Sequence, residues 1–343
     1  MRGIRLIGLV LTLCCISGCS VLSSLPSTRE MEDTSLVRVM GVDVGKDRLE
    51  GTILTAAVPM VEGQKGEEGR EDLILHGVGE TLAGATMSMV GQGTAVLAYS
   101  HVGQMVLGQA LAERSVGDVL DYALWDRAVG MDTALWVVKD STAEEAIHQA
   151  KQVSKRMKAL ELDAGLSDAP MTQLVRGLAE DLAENKASFL PALRVEGEDL
   201  LAAGYGIIKE DALVGYAEGL AAEGITLLKG EVVSRMLEVT APGAAVSALR
   251  LTSVSSKIKP VFDGGRLTGL DVQCQVQATI AQGRGEMSRE EAGELLKEAV
   301  GNRVGEAIAL AQALDADYLG LRSKTGVGAP WHWEAVNAQW EEA

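Results

Sequence analysis

The sequence predicts an α+β protein with more than one domain. In its first half, short runs at strand periodicity alternate with runs at helical periodicity, which is typical of a sheet packed against helices. In its second half, three long runs rich in Val, Thr and Ser precede one long amphipathic segment, which predicts an antiparallel sheet packed on a long C-terminal helix. We expect an N-terminal domain at residues 35–192 and a C-terminal domain at 193–343, the latter with subdomains at about 193–240 and 241–343.

Strands are predicted at five places in the N-terminal domain, where β-branched and apolar residues alternate or run together between turn residues. These are residues 37–44, 49–58, 73–75, 95–107 and 133–138. Residues 61–72 are charged and rich in glycine, which favours a solvated loop, with a partner contact as the alternative.

Helices are predicted between these strands, where apolar residues recur every three or four positions. Residues 80–90 and 111–125 each place their apolar side chains on one face. Thr142 and Glu145 fit a capping box, which predicts the start of a helix whose core face extends to Met157. Residues 171–192 predict a helical connector that ends at Pro191, because proline cannot continue a helix.

The C-terminal domain is expected to begin with a hairpin at residues 202–216 and a short helix at 218–228. The strands of the antiparallel sheet follow, at residues 232–239, 245–258 and 267–280. Ser288 and Glu291 fit a second capping box and predict the start of the long helix. Its apolar residues form one stripe, so we expect it to lie along the sheet; binding of a partner helix is the alternative. Cys274, in the last strand, is expected to pack in the core.

The N-terminus contains signals for export and lipidation. Arg2 and Arg5 precede an apolar run that is shorter than the roughly 20 residues needed to span a bilayer. Residues 16–19, Ile-Ser-Gly-Cys, are similar to a bacterial lipobox, so residues 1–18 are expected to be a lipoprotein signal peptide cleaved between Gly18 and Cys19. Diacylated Cys19 would then hold the protein on a membrane through two acyl chains, with residues 19–34 as a flexible tether. An ordinary signal peptide with incidental cysteines is the alternative.

Charge and motifs exclude several classes of function. The formal net charge of −17 makes nucleic-acid binding a poor hypothesis, because an acidic protein repels polyanions. Motifs for nucleotide binding, serine hydrolases and zinc peptidases are absent from the sequence, and its four histidines show no ligand spacing. We therefore predict neither catalysis nor a metal or cofactor. Trp331 and Trp333 are candidates for a partner contact, although tryptophans this close to a terminus can equally close one end of a core.

Several blocks of the sequence resemble, in the same order, those of the Ger(x)C family, the C subunits of nutrient germinant receptors in endospore-forming bacteria. The blocks are the lipobox at Cys19 and residues 36–54, 79–86, 100–126, 134–147, 201–216, 224–232 and 316–321. The resemblance implies an α+β fold of several domains and a non-catalytic protein without cofactors. It also implies a lipid-anchored position on the outer face of the bacterial inner membrane, of the cell or the spore.

The same resemblance implies assembly with two integral-membrane subunits, the A and B subunits of the receptor, to trigger germination. For the isolated subunit we expect no tight small-molecule ligand. The alternative is an extracytoplasmic solute-binding lipoprotein that delivers a ligand to a membrane transporter. Such a protein needs a cleft between two similar lobes, whereas the two halves of this chain differ in pattern. A hydrolase of the cell envelope is a third and weaker hypothesis.

Overall fold

The computed structural model describes residues 34–45, 51–58, 72–92, 96–126, 129–164, 166, 169–232, 234–240, 246–264, 266–283, 288–328 and 330–340. The predicted signal peptide, almost all of the tether and most of the loop at residues 61–72 lie outside them. The α+β fold class is confirmed, with mixed and antiparallel sheets and a long C-terminal helix.

The strands are β1 Thr34–Leu36, β2 Val39–Val44, β3 Thr52–Val58, β4 Leu73–Gly79, β5 Val96–Ala98, β6 Val102–Leu107, β7 Val129–Val138, β8 Gln173–Leu174, β9 Ala187–Glu196, β10 Asp199–Lys209, β11 Ala212–Ala217, β12 Arg235–Val239, β13 Ser247–Asp263 and β14 Arg266–Gln282. The helices are α1 Leu82–Ser88, α2 Gln109–Arg114, α3 Gly117–Trp125, α4 Ala143–Gln149, α5 Val153–Leu162, α6 Val175–Asn185, α7 Gly219–Lys229, α8 Arg289–Ala313, α9 Leu321–Gly328 and α10 Trp333–Gln339.

A large mixed sheet organises most of the chain, in the order β11-β10-β9-β7-β6-β2-β3-β4, with β8 paired to β7. Helices cover both of its faces. On one face, Met105 and Leu135 pack against α1, α2, α3 and α6. On the other, Val106 and Trp136 pack against α4 and α5. The sheet is continuous across the predicted domain boundary at residue 193, because β9 pairs with β7 through Ala192 and Leu193. The division into domains stays a prediction.

Several predicted elements are wrong in detail, and long-range contacts explain one of them. The helix predicted at residues 111–125 is two helices, α2 and α3, that separate at Ser115. Ser115 is fully extended, and its hydroxyl accepts a hydrogen bond from the backbone N–H of Gly117 at 2.9 Å. The same hydroxyl donates to Asp211 at 2.8 Å, on the turn between β10 and β11. A partner 96 residues away thus stabilises the break.

Other differences are local. The strand predicted at residues 95–107 is interrupted by a turn in which Val102 N–H donates to Tyr99 O, so Ser100 and His101 lie in this turn and not in a strand. The helix that begins after Thr142 ends at Gln149, and α5 follows Gln152, whose φ is +48°. Residues 187–192 are not helical but form part of β9, and Pro191 lies opposite the register shift of β10, where a missing N–H is tolerated.

The second sheet, in the order β12-β13-β14, is antiparallel and packs on α8, as predicted. Ser288 accepts a hydrogen bond from the backbone N–H of Glu291 at 3.1 Å, which confirms Ser288 as the N-cap of α8. Val300 of α8 packs against the sheet in one apolar cluster, and Ala292 packs against it in another. Cys274 lies in these apolar contacts, and burial raises the pKa of its thiol.

Helix α7 joins the two sheets. Its Ile225 and Leu228 share one apolar cluster with residues of β9 and β10 and with Ala307 of α8. The two helices approach closely at Gly224, where a Cβ would lie 2.0 Å from the carbonyl oxygen of Arg303. The C-terminal sheet and its helix are therefore packed against the end of the large sheet.

Candidate functional site

The predicted lipidation and cleavage residues, Cys19 and Gly18, lie outside the described residues. The predicted partner-contact residues, Trp331 and Trp333, lie near the end of the described chain, where the short 3₁₀ helix Pro330–His332 connects α9 to α10. These two helices pack against the long hairpin formed by β13 and β14. The candidate site is therefore built on the C-terminal helices and the tip of that hairpin.

The two tryptophans have different surroundings. The ring of Trp333 lies against Gly326 of α9, where a Cβ would approach its Cε3 atom to 2.3 Å. The guanidinium carbon of Arg322 lies 5.9 Å from the centre of the same ring, within the range of a cation–π interaction. Trp333 is 39% exposed, whereas Trp331 is 90% exposed. Trp333 thus fastens α10 to α9, and Trp331 faces solvent.

Other aromatic and apolar groups lie on the same helices and at the tip of the hairpin. The ring of His332 lies 4.7 Å from that of Phe262, at the tip of the hairpin. Val327, in the last turn of α9, is 84% exposed. We name Phe262, Val327, Trp331, His332 and Trp333 the C-terminal aromatic surface. Exposed apolar and aromatic groups of this kind are typical of protein contacts.

A half-buried carboxylate holds α9 in position. Asp317 accepts hydrogen bonds from the backbone N–H groups of Leu321 and Arg322, both at 2.8 Å, at the start of the helix. Burial raises the pKa of Asp317, and the two backbone hydrogen bonds oppose this increase. Asp317 lies within residues 316–321, one of the resemblance blocks, although sequence reasoning assigned it no role. An Asp followed within a few residues by a helix is the signal that could have identified it.

Asp43 has the same role in the N-terminal half. Its two carboxylate oxygens accept hydrogen bonds from the backbone N–H groups of Ala143 and Glu144, both at 2.8 Å, while Thr142 completes the cap of α4. Burial is the main cause of its raised pKa. This carboxylate connects the end of β2 to α4 across the chain, so two of the resemblance blocks contribute to one contact.

The structure also brings together two histidines that sequence spacing did not associate. His76 and His148 lie on different elements, with their Nε2 atoms 3.0 Å apart. Ser100 and His101, which the sequence places side by side, lie in the turn before β6. In the part of the chain that the structure describes, no helix is both long enough and apolar enough to cross a membrane.

Two family models match the chain in sequence order. Residues 27–195 match the model described as Spore germination protein N-terminal domain, and residues 203–343 match Spore germination B3/ GerAC like, C-terminal. The fold is similar to a solved structure described as the crystal structure of the GerBC protein, with a TM-score of 0.58 and 15% sequence identity. The alignment covers 88% of this chain and 92% of that one. At this identity the likeness shows the fold alone. No curated protein matches the chain.

Proposed function

The chain belongs to the GerAC-like family of spore germination proteins, and from this premise we propose that it is the lipid-anchored C subunit of a nutrient germinant receptor. The observation that supports the proposal is that both family models match in order, over residues 27–195 and 203–343, on a fold similar to that of GerBC. The subunit would be non-catalytic. It would assemble with the integral-membrane A and B subunits on the outer face of the inner membrane.

The proposed mechanism is scaffolding at a membrane surface. The lipobox of residues 16–19 supports diacylation of Cys19, and two acyl chains attach a protein stably where one does so only marginally. Attachment confines the folded domains to the layer next to the membrane and so raises their effective concentration near integral-membrane partners. Contacts that would be weak in solution then suffice for assembly.

Replacing Cys19 tests the anchor. In cells that express Cys19→Ala, we expect the protein to lose its lipid and to leave the membrane fraction, or to accumulate as uncleaved precursor. Cys274→Ala is the matched control, because it removes a half-buried thiol from β14 and should leave fractionation unchanged. Membrane association of Cys19→Ala equal to that of the unaltered protein, with a mass that shows no lipid on either, would contradict the anchor.

The C-terminal aromatic surface is the proposed contact with the membrane subunits. Tryptophan is enriched among the few interface residues whose truncation costs about 2 kcal/mol or more, equivalent to roughly thirtyfold in affinity. Trp331→Ala should therefore reduce copurification of the A and B subunits from detergent-solubilised spore membranes. Trp125→Ala, which removes an 83% exposed indole from α3, is the matched control. Equal recovery of the A and B subunits with the unaltered protein, Trp331→Ala and Trp125→Ala would exclude Trp331 from the contact.

The solute-binding alternative is less well supported. It needs two similar lobes around a cleft, whereas the described residues form one large mixed sheet, one three-stranded antiparallel sheet and a two-stranded sheet of β1 and β5, which do not repeat one another. Calorimetric titration of the full chain with nutrient germinants distinguishes the two proposals. The scaffold proposal predicts no tight binding to the isolated subunit, and micromolar binding of a single nutrient would favour the alternative.

A further inference from the structure

A pair of histidines with an adjacent carboxylate lies at the edge of the large sheet. His76 belongs to the edge strand β4, and His148 lies in the last turn of α4. Their Nε2 atoms are 3.0 Å apart, and Oε1 of Glu144 lies 3.5 Å from Nδ1 of His76. The potential ligand atoms of the three residues all lie within 4.8 Å of one another.

The surrounding structure fixes the backbone elements that carry these side chains. The side-chain amide of Gln92 accepts a hydrogen bond from the backbone N–H of His76 and donates one to its carbonyl oxygen, at 3.3 and 2.6 Å. This pairing fixes the backbone of the edge strand at His76. Glu144 and His148 are four residues apart on one face of α4, whose first turn is capped by Asp43. The arrangement thus rests on elements that are fixed by contacts outside the cluster.

The distance between the imidazoles fits two ligands of one metal ion. Zn–N bonds of about 2.0–2.1 Å at angles of about 90–109° place two nitrogen atoms about 2.9–3.4 Å apart. The carboxylate of Glu144 beside Nδ1 of His76 favours a hydrogen on that nitrogen and leaves the lone pair of Nε2 directed toward His148. Histidines that bind metals commonly donate their other ring N–H to a carboxylate, and Oε1 of Glu144, 3.5 Å from Nδ1 of His76, would accept that hydrogen after a small approach.

A cavity borders one of the two histidines, His148. The cavity has a volume of about 350 Å³, lies against α4 and is lined by residues that include His148, Asp72, Ile74, Ile147 and Lys151. Imidazole nitrogen favours zinc, copper or nickel over calcium or magnesium, which prefer oxygen ligands.

We propose that His76 and His148, oriented by Glu144, bind one divalent transition-metal ion, of which Zn²⁺ is the representative probe. The ion would connect the edge strand β4 to α4, two elements that the chain separates by more than 60 residues. The inference is independent of the germination function, because it depends only on these three side chains and their geometry. Sequence spacing contained no signal for it, since the ligands belong to two distant elements.

Titration of the full chain with Zn²⁺ tests the site. The protein is purified in detergent without a polyhistidine tag, and Zn²⁺ is competed against a chromophoric chelator. We expect one ion per chain, and at least tenfold weaker binding for His76→Ala/His148→Ala. The matched control is His101→Ala/His332→Ala, which removes two other histidines and should keep the affinity. Glu144→Gln should weaken binding by about 10–100-fold, while Glu145→Gln on the same helix should not.

A spectroscopic measurement on the unaltered protein guards against misfolded variants. The electron spin echo envelope modulation spectrum of Cu²⁺ bound to the full chain should show two imidazole nitrogens. The proposal would be overturned by the absence of stoichiometric binding, by equal loss of affinity in both double variants, or by a Cu²⁺ spectrum without two imidazole nitrogens. Each of these results would mean that His76 and His148 share only a hydrogen bond.

Discussion

Gly224 lies where α7 and α8 approach most closely, and one added methyl group there should lower the stability of the protein. In Gly224→Ala, the new Cβ would lie 2.0 Å from the carbonyl oxygen of Arg303 and 2.8 Å from Cβ of Ala307. Because an ordinary C···O contact is about 3.3 Å or longer, α7 and α8 must separate by roughly 1 Å. The separation also strains the hydrogen bond of 2.5 Å from Arg303 to the largely buried Glu223.

The expected cost combines two opposing effects. Overpacking typically costs about 1–3 kcal/mol and occasionally more, and the higher helix propensity of alanine returns up to about 1 kcal/mol. With a backbone carbonyl as the obstacle, we expect a net loss near the upper end, about 2 kcal/mol. For a cooperative unit of about 150–250 residues, a loss of about 2 kcal/mol corresponds to a decrease in Tm of about 4–8 °C.

Thermal unfolding followed by circular dichroism measures this effect. Gly301→Ala is the matched control, because Gly301 lies on α8 and no atom beyond its own turns of the helix lies within 4 Å of the position that its added methyl group would occupy. This control should raise Tm slightly through helix propensity alone. A Tm of Gly224→Ala equal to or above that of the unaltered protein would show that the close contact between α7 and α8 is not as described.

Three further results are expected. Gly108→Ala should lower the free energy of unfolding, measured with denaturant, by about 1–3 kcal/mol, because its Cβ would lie 1.9 Å from Oδ1 of Asp43 and displace the cap of α4. Gly103→Ala is the control, because the space around Gly103 is open. Asp317→Ala should lower Tm, because losing a helix cap costs about 0.5–2 kcal/mol. It should also reduce copurification of the membrane subunits, because α9 supports the C-terminal aromatic surface. Normal recovery of both subunits would argue against that support. The Cys274 thiol, whose pKa is raised by burial, should react slowly with a disulfide reagent at pH 8 and rapidly after unfolding, and fast reaction of the folded protein would contradict the packing of β14.

Local sequence signals predicted those parts of the fold that depend on near neighbours. Thr142 and Ser288 both cap their helices as expected, because a capping box involves residues only three positions apart. The alternating pattern of β13 and β14 likewise identified the hairpin, since its period reflects one buried face. The α+β class followed from the order of such segments.

Features that depend on distant residues could not be predicted in this way. The break at Ser115 involves Asp211. The first residues of β9 were predicted to be helical, because their apolar run fits either structure and only pairing with β7 and β10 makes it a strand. The approach of His76 to His148 arises only when β4 and α4 pack together. Of the candidate site, sequence reasoning singled out Trp331 and Trp333 but missed Asp317, which positions the helix before them.

Germination of spores that lack this protein tests the central claim most directly. In a strain without related genes, deletion should abolish the response to nutrients, while release triggered by surfactant or pressure continues, because those routes bypass the receptor. The unaltered gene should restore the nutrient response, and Cys19→Ala should restore little of it. A full nutrient response in the deletion strain would contradict the assignment of this chain as a germinant receptor subunit.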